Sequence, residues 1–281
     1  MKKIMKLAFQ GELGAFSHLA AIKFFPKSEI KSCQTFEECF RLAIENSEYK
    51  TIIPMENSLA GRVADIHYLI PKYKLQIYTE HFHPVIHNLL GLKGAKLEDI
   101  KTVRSHSQAI GQCQNIIQKN NLKPIISADT AGSAKYVSEK KDKTESAIAS
   151  SLAAEIYDLQ IITKHVEDDS KNVTRFLVMG KEIHHPELGN KKYITSCIFR
   201  VKSIPAALYK CLGGFATNNV NLCKLESFSA KNTFKQVNFF IDIEGHIEDF
   251  KVQNSLEELG FHTESLDILG VYEADKFRFN K

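Results

Sequence analysis

Two short groups of hydroxyl, amide and charged side chains flank apolar runs and are suited to act on a polar substrate. Residues 56–58 read Glu-Asn-Ser directly after a buried-strand pattern, and residues 174–175 read Thr-Arg directly before another. Ligands bind at the carboxyl ends of strands in open α/β sheets, which favours a ligand site at residues 56–58. The alternatives are helix capping for Asn57 or Ser58, and a strand threonine beside a surface arginine for Thr174 and Arg175.

A third polar group surrounds a predicted helix at 107–119. Ser105 and Gln108 have the spacing of a capping box, which is the interpretation that their spacing alone favours. Gln108 and Gln112 are four residues apart and would share one helix face, where they could hold a polar ligand. Gly11 and Gly14 follow a predicted strand, and their spacing fits a tight turn or an anion-binding helix start, not a dinucleotide fingerprint.

The histidines and cysteines do not form a metal-binding pattern. His81, His83 and His87 are close in sequence, but no matched cysteine or carboxylate set accompanies them. The six cysteines lack the C-x-x-C spacing, so we expect reduced and mostly buried thiols. We therefore predict no metal and no cofactor.

Strands and helices alternate through the first 180 residues, which predicts an α/β fold with a largely parallel sheet. Strands are expected at 6–9, 51–54, 76–81, 85–92, 124–127, 146–149 and 174–179, and helices from 17, at 35–46, 107–119, 130–139 and 151–157. Residues 180–192 are polar with Pro and Gly and read as a linker. The tail then reads βαββαβ, a ferredoxin-like α+β order, with strands at 193–201, 221–228, 234–244 and 265–272 and helices that begin near Pro205 and cover 247–259.

Length and composition exclude several classes of protein. A chain of 281 residues with 43% hydrophobic and 25% charged residues predicts about two globular domains. The 37 basic and 33 acidic residues leave a net charge of only +4, so we expect no nucleic-acid partner. No apolar run approaches the roughly 18 residues of a membrane span, and the first residues lack a signal-peptide core. These features predict a soluble, cytoplasmic protein with no membrane partner.

Segments along the chain resemble, in this order, the motifs of the prephenate dehydratase family. Residues 11–21 resemble its first motif, 53–63 its Glu-Asn-Ser motif and 105–113 its Ser-His-Pro-Gln-Ala segment; 129–131 and 147–150 follow in family order, and 174–176 resemble its Thr-Arg-Phe motif. The tail resembles an ACT domain at residues 206–208 and 226–227. The resemblance covers almost the whole chain.

The resemblance implies a fold and a domain division. A catalytic domain at 1–181 would have two lobes, similar to a type II periplasmic binding protein, with lobe 1 at about 1–80 and 165–181 and lobe 2 at about 81–164. An ACT regulatory domain would occupy 192–275. Similar ACT tails pair between subunits, so a homodimer or homotetramer is expected.

The reaction that the resemblance implies is the decarboxylating dehydration of prephenate to phenylpyruvate, in L-phenylalanine biosynthesis. Thr174 would donate to the leaving hydroxyl, with Asn57, Ser105 and Gln112 as polar positioning groups. The further substrate-binding candidates are Ser17, Glu56, Ser58, Gln108, Thr130, Arg175 and Phe176. L-Phenylalanine would be an effector that binds near Ala206, Ala207, Leu208, Asn221, Leu222, Glu226 and Ser227.

Some residues depart from the family pattern. Glu12, Ala15, Ala60 and Ser107 replace the usual Pro, hydroxyl, Glu and Pro, whereas Ala206 and Phe228-Ser229 alter the two effector motifs. Three alternatives stay open at this point: arogenate as the substrate, a catalytically silent amino-acid-binding regulatory protein, and a periplasmic solute-binding protein. The last is disfavoured because a signal peptide is missing.

Overall fold

The computed structural model describes residues 4–229 and 236–279. Its strands are β1 (Lys6–Gln10), β2 (Glu29–Cys33), β3 (Tyr49–Asn57), β4 (Gly61–Arg62), β5 (Gln76–Pro84), β6 (Asn88–Gly91), β7 (Thr102–His106), β8 (Lys123–Ser127), β9 (Glu145–Ala149), β10 (Gln160–Thr163), β11 (Val173–Gly180), β12 (Tyr193–Val201), β13 (Leu222–Ser229), β14 (Val237–Glu244) and β15 (Thr263–Glu273). Its helices are α1 (Phe16–Phe24), α2 (Phe36–Glu45), α3 (Ala64–Tyr73), α4 (Ser107–Gly111), α5 (Gln114–Lys119), α6 (Thr130–Lys140), α7 (Ser151–Ile156), α8 (Ala207–Thr217) and α9 (Phe250–His262).

Each predicted strand and helix corresponds to an element of the structure, mostly with ends shifted by a few residues, except that the helix predicted at 107–119 is two helices. The predicted connection after Gly180 is irregular up to β12. The sequence patterns missed β2, β4, α3, β7 and β10. Two of these have clear physical reasons: β2 is mostly exposed and polar, and α3 contains Pro71. The start of the predicted strand at Phe234 lies outside the described residues. Pro205 is not at the first position of α8, because Ala206 has a left-handed backbone with a φ of 59° and separates it from the helix.

Two α/β sheets precede the tail. One has the strand order β2-β1-β3-β11-β5, with β4 paired to β3, and the other has the order β10-β6-β9-β7-β8. In the second sheet, Leu89 and Ile148 pack on one face, whereas Leu90 and Ala147 pack on the other. Both faces are therefore buried, which explains why its central strands read as continuous apolar runs.

By its internal contacts the chain divides into two compact units. The first comprises Met1–Cys39, Ile52–Arg62 and Phe82–Phe176, and the second comprises Phe40–Thr51, Val63–His81 and Leu177–Lys281. The second unit contains the four-stranded antiparallel sheet β13-β14-β12-β15, which has the strand order of the predicted ferredoxin-like fold. Helices α8 and α9 cover one face of this sheet around Phe199, Phe215 and Ile241.

Apolar residues alternate with Asn238 and Asp242 along β14, a pattern that predicts a half-buried strand with Asp242 on its polar face; this prediction is wrong. Asp242 is fully buried, accepts a hydrogen bond from Ser196 at 2.5 Å and lies 3.6 Å from Arg278. Arg278 also donates two hydrogen bonds, at 2.6 and 2.8 Å, to the carboxylate of Glu80 on β5. The sequence could not show this, because the partners that cover this face of the sheet lie far away along the chain.

Gly270 on β15 lies where no side chain fits. A Cβ atom there would be 2.3 Å from the carbonyl oxygen of Ile77, which is backbone and cannot rotate away. We expect Gly270→Ala to lower the free energy of unfolding by about 3 kcal/mol, the upper range for overpacking a close contact. Urea unfolding of the variant tests this, with Gly213→Ala as the control because a Cβ at Gly213 meets nothing within 4 Å. Equal stability of the two variants would contradict the expectation.

Candidate active site

Strands β3 and β11 are neighbours, and their adjacent residues form two polar pairs. Asn57 Nδ2 lies 2.9 Å from Thr174 Oγ1, and Arg175 Nη1 lies 3.0 Å from Glu56 Oε1. Successive side chains of a strand point to opposite faces, so these are two separate sites. Thr174 and Arg175 are adjacent in sequence but contact different partners, so they need not share a role.

The amide of Asn57 has one fixed orientation. Its Oδ1 accepts the backbone N–H groups of Leu59 and Ala60, at 3.0 and 2.9 Å, which closes the turn between β3 and β4. Its Nδ2 must therefore face the other way, where it donates to Asn172 Oδ1 at 2.7 Å and to Thr174 Oγ1 at 2.9 Å. The Val173 carbonyl oxygen is more distant, at 3.3 Å.

This orientation determines what the Thr174 hydroxyl can do. Because Oγ1 accepts a hydrogen bond from Asn57, its own hydrogen must point elsewhere, and no acceptor for it is found among the described residues. The side chain is 8% exposed, so the hydroxyl is largely screened from water. Such an oriented donor suits an oxygen atom that gains negative charge as a bond breaks.

Asn172 and Gln112 extend the hydrogen-bond chain. Since Asn172 Oδ1 is occupied by Asn57, its Nδ2 donates to Gln112 Oε1 at 2.9 Å. Gln112 Oε1 also lies 3.0 Å from His87 Nε2. The structure thus brings together three of the four predicted catalytic residues, Asn57, Gln112 and Thr174.

The sequence patterns missed Asn172 and His87. Asn172 stands two residues before Thr174, and an extended chain places such residues on the same face, so the spacing contained a usable signal. His87 had none, because only tertiary contacts bring it to Gln112.

A helix break positions Gln112. The predicted helix at 107–119 is two helices, with Gln112 at the end of α4 and Cys113 before α5. The carboxylate of Asp168 accepts the N–H groups of Gln114 and Asn115 at 2.8 and 3.0 Å, which stabilises the start of α5. The Gln112 N–H donates to the Gln108 carbonyl at 2.9 Å, so the helical turn that joins these two residues is intact and the break follows Gln112.

Three capping interpretations are wrong. The cap of α4 is His106, whose Nδ1 accepts the Gln108 N–H, and not Ser105. Residues 57 and 58 do not cap a helix, because α3 begins after Val63. Ser58 instead connects β3 to β11: its hydroxyl donates to the Lys171 carbonyl at 2.8 Å and accepts the Val173 N–H.

In the described part of the chain, the predicted site residues Ser105, Thr130, Ser17, Gln108 and Phe176 have no side-chain hydrogen bond to Thr174. Ser105 is fully buried and donates to the Ile148 carbonyl at 2.6 Å, a bond that holds β7 to β9. Thr130 begins α6 and is half-buried, Ser17 is buried on α1, Gln108 is exposed, and Phe176 is buried in β11. Their roles toward a ligand stay predictions.

The Gly11–Gly14 segment is a tight turn in which the Gly14 N–H already donates a hydrogen bond within the protein. Gly14 has a φ of 89°, its N–H donates to His18 Nδ1 at 3.0 Å, and its carbonyl accepts the Ser150 hydroxyl. A Cβ at Gly14 would lie 2.8 Å from the Cα of Ala153. The glycine is therefore required for close packing, and this N–H is not open to an anion.

Desolvation lowers the pKa values of four histidines. Burial is the largest cause that lowers the pKa of His18, His81, His83 and His87, of which His81 is half-buried and the other three are buried. Within residues 4–229 and 236–279, no group of three or more His, Cys, Asp or Glu side chains is arranged to hold a metal ion.

These pKa shifts predict acid sensitivity. Below pH 6.5 the unfolded chain binds protons that the folded histidines do not, so stability present above this pH falls as the pH falls. The slope is at most about 1.4 kcal/mol per pH unit for each histidine. Urea unfolding above and below pH 6.5 tests this; stability that is constant or rises on acidification would contradict it.

In the second unit, three of the predicted effector residues line a cavity of about 520 Å³. Ala206, Ala207 and Leu208 form its wall together with Lys202 and Glu264, among others. Ala206 keeps a left-handed backbone although it stands where the family motif has glycine. Asn221, Leu222, Glu226 and Ser227 lie on or next to β13 and do not line this cavity.

Comparisons with known proteins agree on one family. The prephenate dehydratase family profile matches residues 7–184. A bifunctional N-acyl-homoserine lactone acylase/prephenate dehydratase of Komagataeibacter europaeus is 40% identical over 97% of both chains. Arogenate dehydratase/prephenate dehydratase 1 of Arabidopsis thaliana is 36% identical over 98% of this chain and 73% of its own length.

A solved structure supports the fold. Prephenate dehydratase from Arthrobacter aurescens in complex with L-Phe superposes with a TM-score of 0.88 and 25% identity, over 96% of this chain and 90% of that one. This likeness confirms the predicted fold class.

No helix in the described part of the chain is long and apolar enough to span a membrane.

Proposed function

Because the chain belongs to the prephenate dehydratase family, we propose that it converts prephenate to phenylpyruvate, carbon dioxide and water. The observation that carries this proposal is the oriented Thr174 hydroxyl, which accepts from Asn57 and therefore has its proton available for a ligand. Gln112 adds a second donor, since its Oε1 is occupied twice and its Nε2 is left for the substrate.

The reaction breaks two bonds of the ring. The bond to the ring carboxylate breaks and releases carbon dioxide, and its electron pair moves into the ring, which becomes aromatic. The bond from the ring to the hydroxyl oxygen breaks at the same time, and this oxygen leaves as water after it gains one proton from solvent. Thr174 donates a hydrogen bond to the departing oxygen while its negative charge develops. Asn57 and Gln112 hold the donors and the substrate in place.

A direct assay tests the proposal. Purified protein is incubated with prephenate, and phenylpyruvate is measured by its ultraviolet absorbance in alkali. We expect turnover well above the spontaneous rate, and absence of turnover would overturn the proposal. A parallel assay with arogenate, read out as phenylalanine by amino-acid analysis, identifies the preferred substrate. This arm is needed because relatives at 33–36% identity are named for arogenate alone or for both arogenate and prephenate.

We also propose L-phenylalanine as an effector that binds the cavity at Ala206–Leu208, on a C-terminal ACT domain at 192–275. A relative of known structure is described in complex with L-Phe. A homodimer or homotetramer through this domain is part of the proposal. Isothermal titration and the assay with added phenylalanine test the effector, and light scattering measures the mass. No heat and no inhibition would overturn the effector role.

One relative favours a second candidate activity. The protein that is 40% identical over its whole length is named as an acylase for N-acyl-homoserine lactones as well as a prephenate dehydratase. The corresponding step would hydrolyse the amide bond with water and release a fatty acid and homoserine lactone. Mass spectrometry of these products, with heat-inactivated protein as the control, decides whether this chain has the activity.

A further inference from the structure

Two backbone hydrogen bonds and one ring contact hold His87 beside the candidate site. Its backbone N–H donates to Glu167 Oε2 at 2.9 Å, and its carbonyl accepts the Val166 N–H at 2.9 Å. The ring of Phe16 meets the imidazole edge-on, with the centroids 5.3 Å apart. The side chain is 2% exposed, so the position of the imidazole is set by packing.

The hydrogen-bond chain determines which ring nitrogen carries the proton. Gln112 Oε1 is an acceptor only, because Asn172 Nδ2 already donates to it and the amide orientation follows from Asn57. His87 Nε2, at 3.0 Å from the same oxygen, must therefore be the donor. Nδ1 is then an unprotonated nitrogen; it is buried and has no partner among the described residues. Burial lowers the pKa of His87, in agreement with a neutral ring.

Two donors, Asn172 Nδ2 and His87 Nε2, share Gln112 Oε1 and oppose rotation of the Gln112 amide. Without the His87 donor only Asn172 would hold Oε1, so the amide would turn more readily and present Oε1 in place of its N–H groups to the substrate. An exposed carbonyl oxygen would repel the carboxylates of a dianion. The correct face of Gln112 therefore depends in part on the tautomer of a residue that need not touch the substrate.

We propose that His87, as the neutral Nε2–H tautomer, is a positioning residue that holds the Gln112 amide with its N–H groups toward the substrate. This role rests on the proposed dehydratase function. In it, His87 acts through its hydrogen bond to Gln112, and its imidazole does not transfer a proton as an acid or base.

The test is a double-mutant cycle on prephenate turnover. His87→Leu removes the donor, and we expect kcat/KM to fall about tenfold, the effect of one hydrogen bond. His87→Gln places an amide N–H near the position of Nε2, and we expect it to recover most of the loss. When Gln112 is first replaced by methionine, His87→Leu should cause little further loss, because the two residues act through one bond.

Two further readouts separate positioning from other roles. The pH profile of kcat/KM should keep its shape in His87→Leu, whereas loss of a limb together with a fall of about 100-fold or more would identify an acid or base and overturn the proposal. Nitrogen NMR of the histidine-labelled protein should show a protonated Nε2 and an unprotonated Nδ1, and the opposite tautomer would also overturn it.

Control variants distinguish failure of the proposed His87 role from failure of the proposed dehydratase function. His83 is similarly buried, but its Nδ1 lies 2.6 Å from the Pro84 carbonyl oxygen, so His83→Leu should not couple to Gln112. If His87→Leu fails to fold, His87→Phe takes its place in the cycle. Additive losses in an active wild-type background overturn the role of His87 alone, whereas a wild type that turns over neither prephenate nor arogenate overturns the dehydratase function and the positioning role with it.

Discussion

Replacing Thr174 with alanine is expected to lower kcat for prephenate by about 100- to 1,000-fold, the usual effect of removing one donor that is aligned with a developing negative charge. The alignment comes from Asn57, whose amide orientation is fixed by the N–H groups of Leu59 and Ala60. KM should change far less, because the substrate hydroxyl carries little charge before its bond breaks. Steady-state kinetics on prephenate measure both constants.

Two controls accompany this prediction. Thr174→Ser keeps the hydroxyl and should retain most of the turnover, whereas Thr174→Val keeps the shape and should be as slow as alanine. Urea unfolding of each variant checks that the fold is intact, since the loss of a single hydrogen bond costs only about 1 kcal/mol. Near-normal turnover in Thr174→Ala would remove Thr174 from the mechanism.

The second large effect concerns stability. Arg175 is 1% exposed, and its guanidinium lies 3.0 Å from the Glu56 carboxylate on the face of β11 opposite to Thr174. Breaking a buried ion pair by removing one partner costs about 3–5 kcal/mol. Because Glu56 is about one-third exposed and can regain water, we expect Arg175→Met to lower the free energy of unfolding by roughly the lower of these values.

The same variant tests the interpretation of Arg175 as a substrate-binding residue. A structural ion pair predicts that the folded variant keeps its KM for prephenate, whereas a bond to a substrate carboxylate predicts a large rise in KM. Arg41→Met, at an exposed position, is the control and should change stability by less than about 0.5 kcal/mol. Adding Glu56→Gln to Arg175→Met should cost less than the two separate losses combined, because both remove one interaction.

Patterns in the sequence were sufficient to predict most of the secondary structure and to select Asn57 and Thr174 as candidate site residues. Short apolar runs predicted most of the strands. The resemblance of the motifs to the prephenate dehydratase family predicted Asn57, Ser105, Gln112 and Thr174 as catalytic residues, and hydrogen bonds link all of these except Ser105. One wrong prediction shows the limit of such patterns. The helix predicted at 107–119 breaks at Gln112, because the carboxylate of Asp168, which is distant in sequence, caps α5. No pattern within 107–119 contains that information.

The sequence by itself determined the family, the alternation of strands and helices, and which side chains can donate or accept. Only the tertiary structure decided which partner each of them has. It paired Arg175 with Glu56, buried Asp242, engaged the Ser105 hydroxyl with Ile148, and brought His87 to Gln112. The physical reason is that a hydrogen bond acts only at about 3 Å. Composition and spacing show which polar groups the chain contains, but the fold decides which atoms come within hydrogen-bond distance. The fold therefore also decides that the Ser105 hydroxyl donates to a backbone carbonyl, whereas the Thr174 hydroxyl can still donate to a ligand.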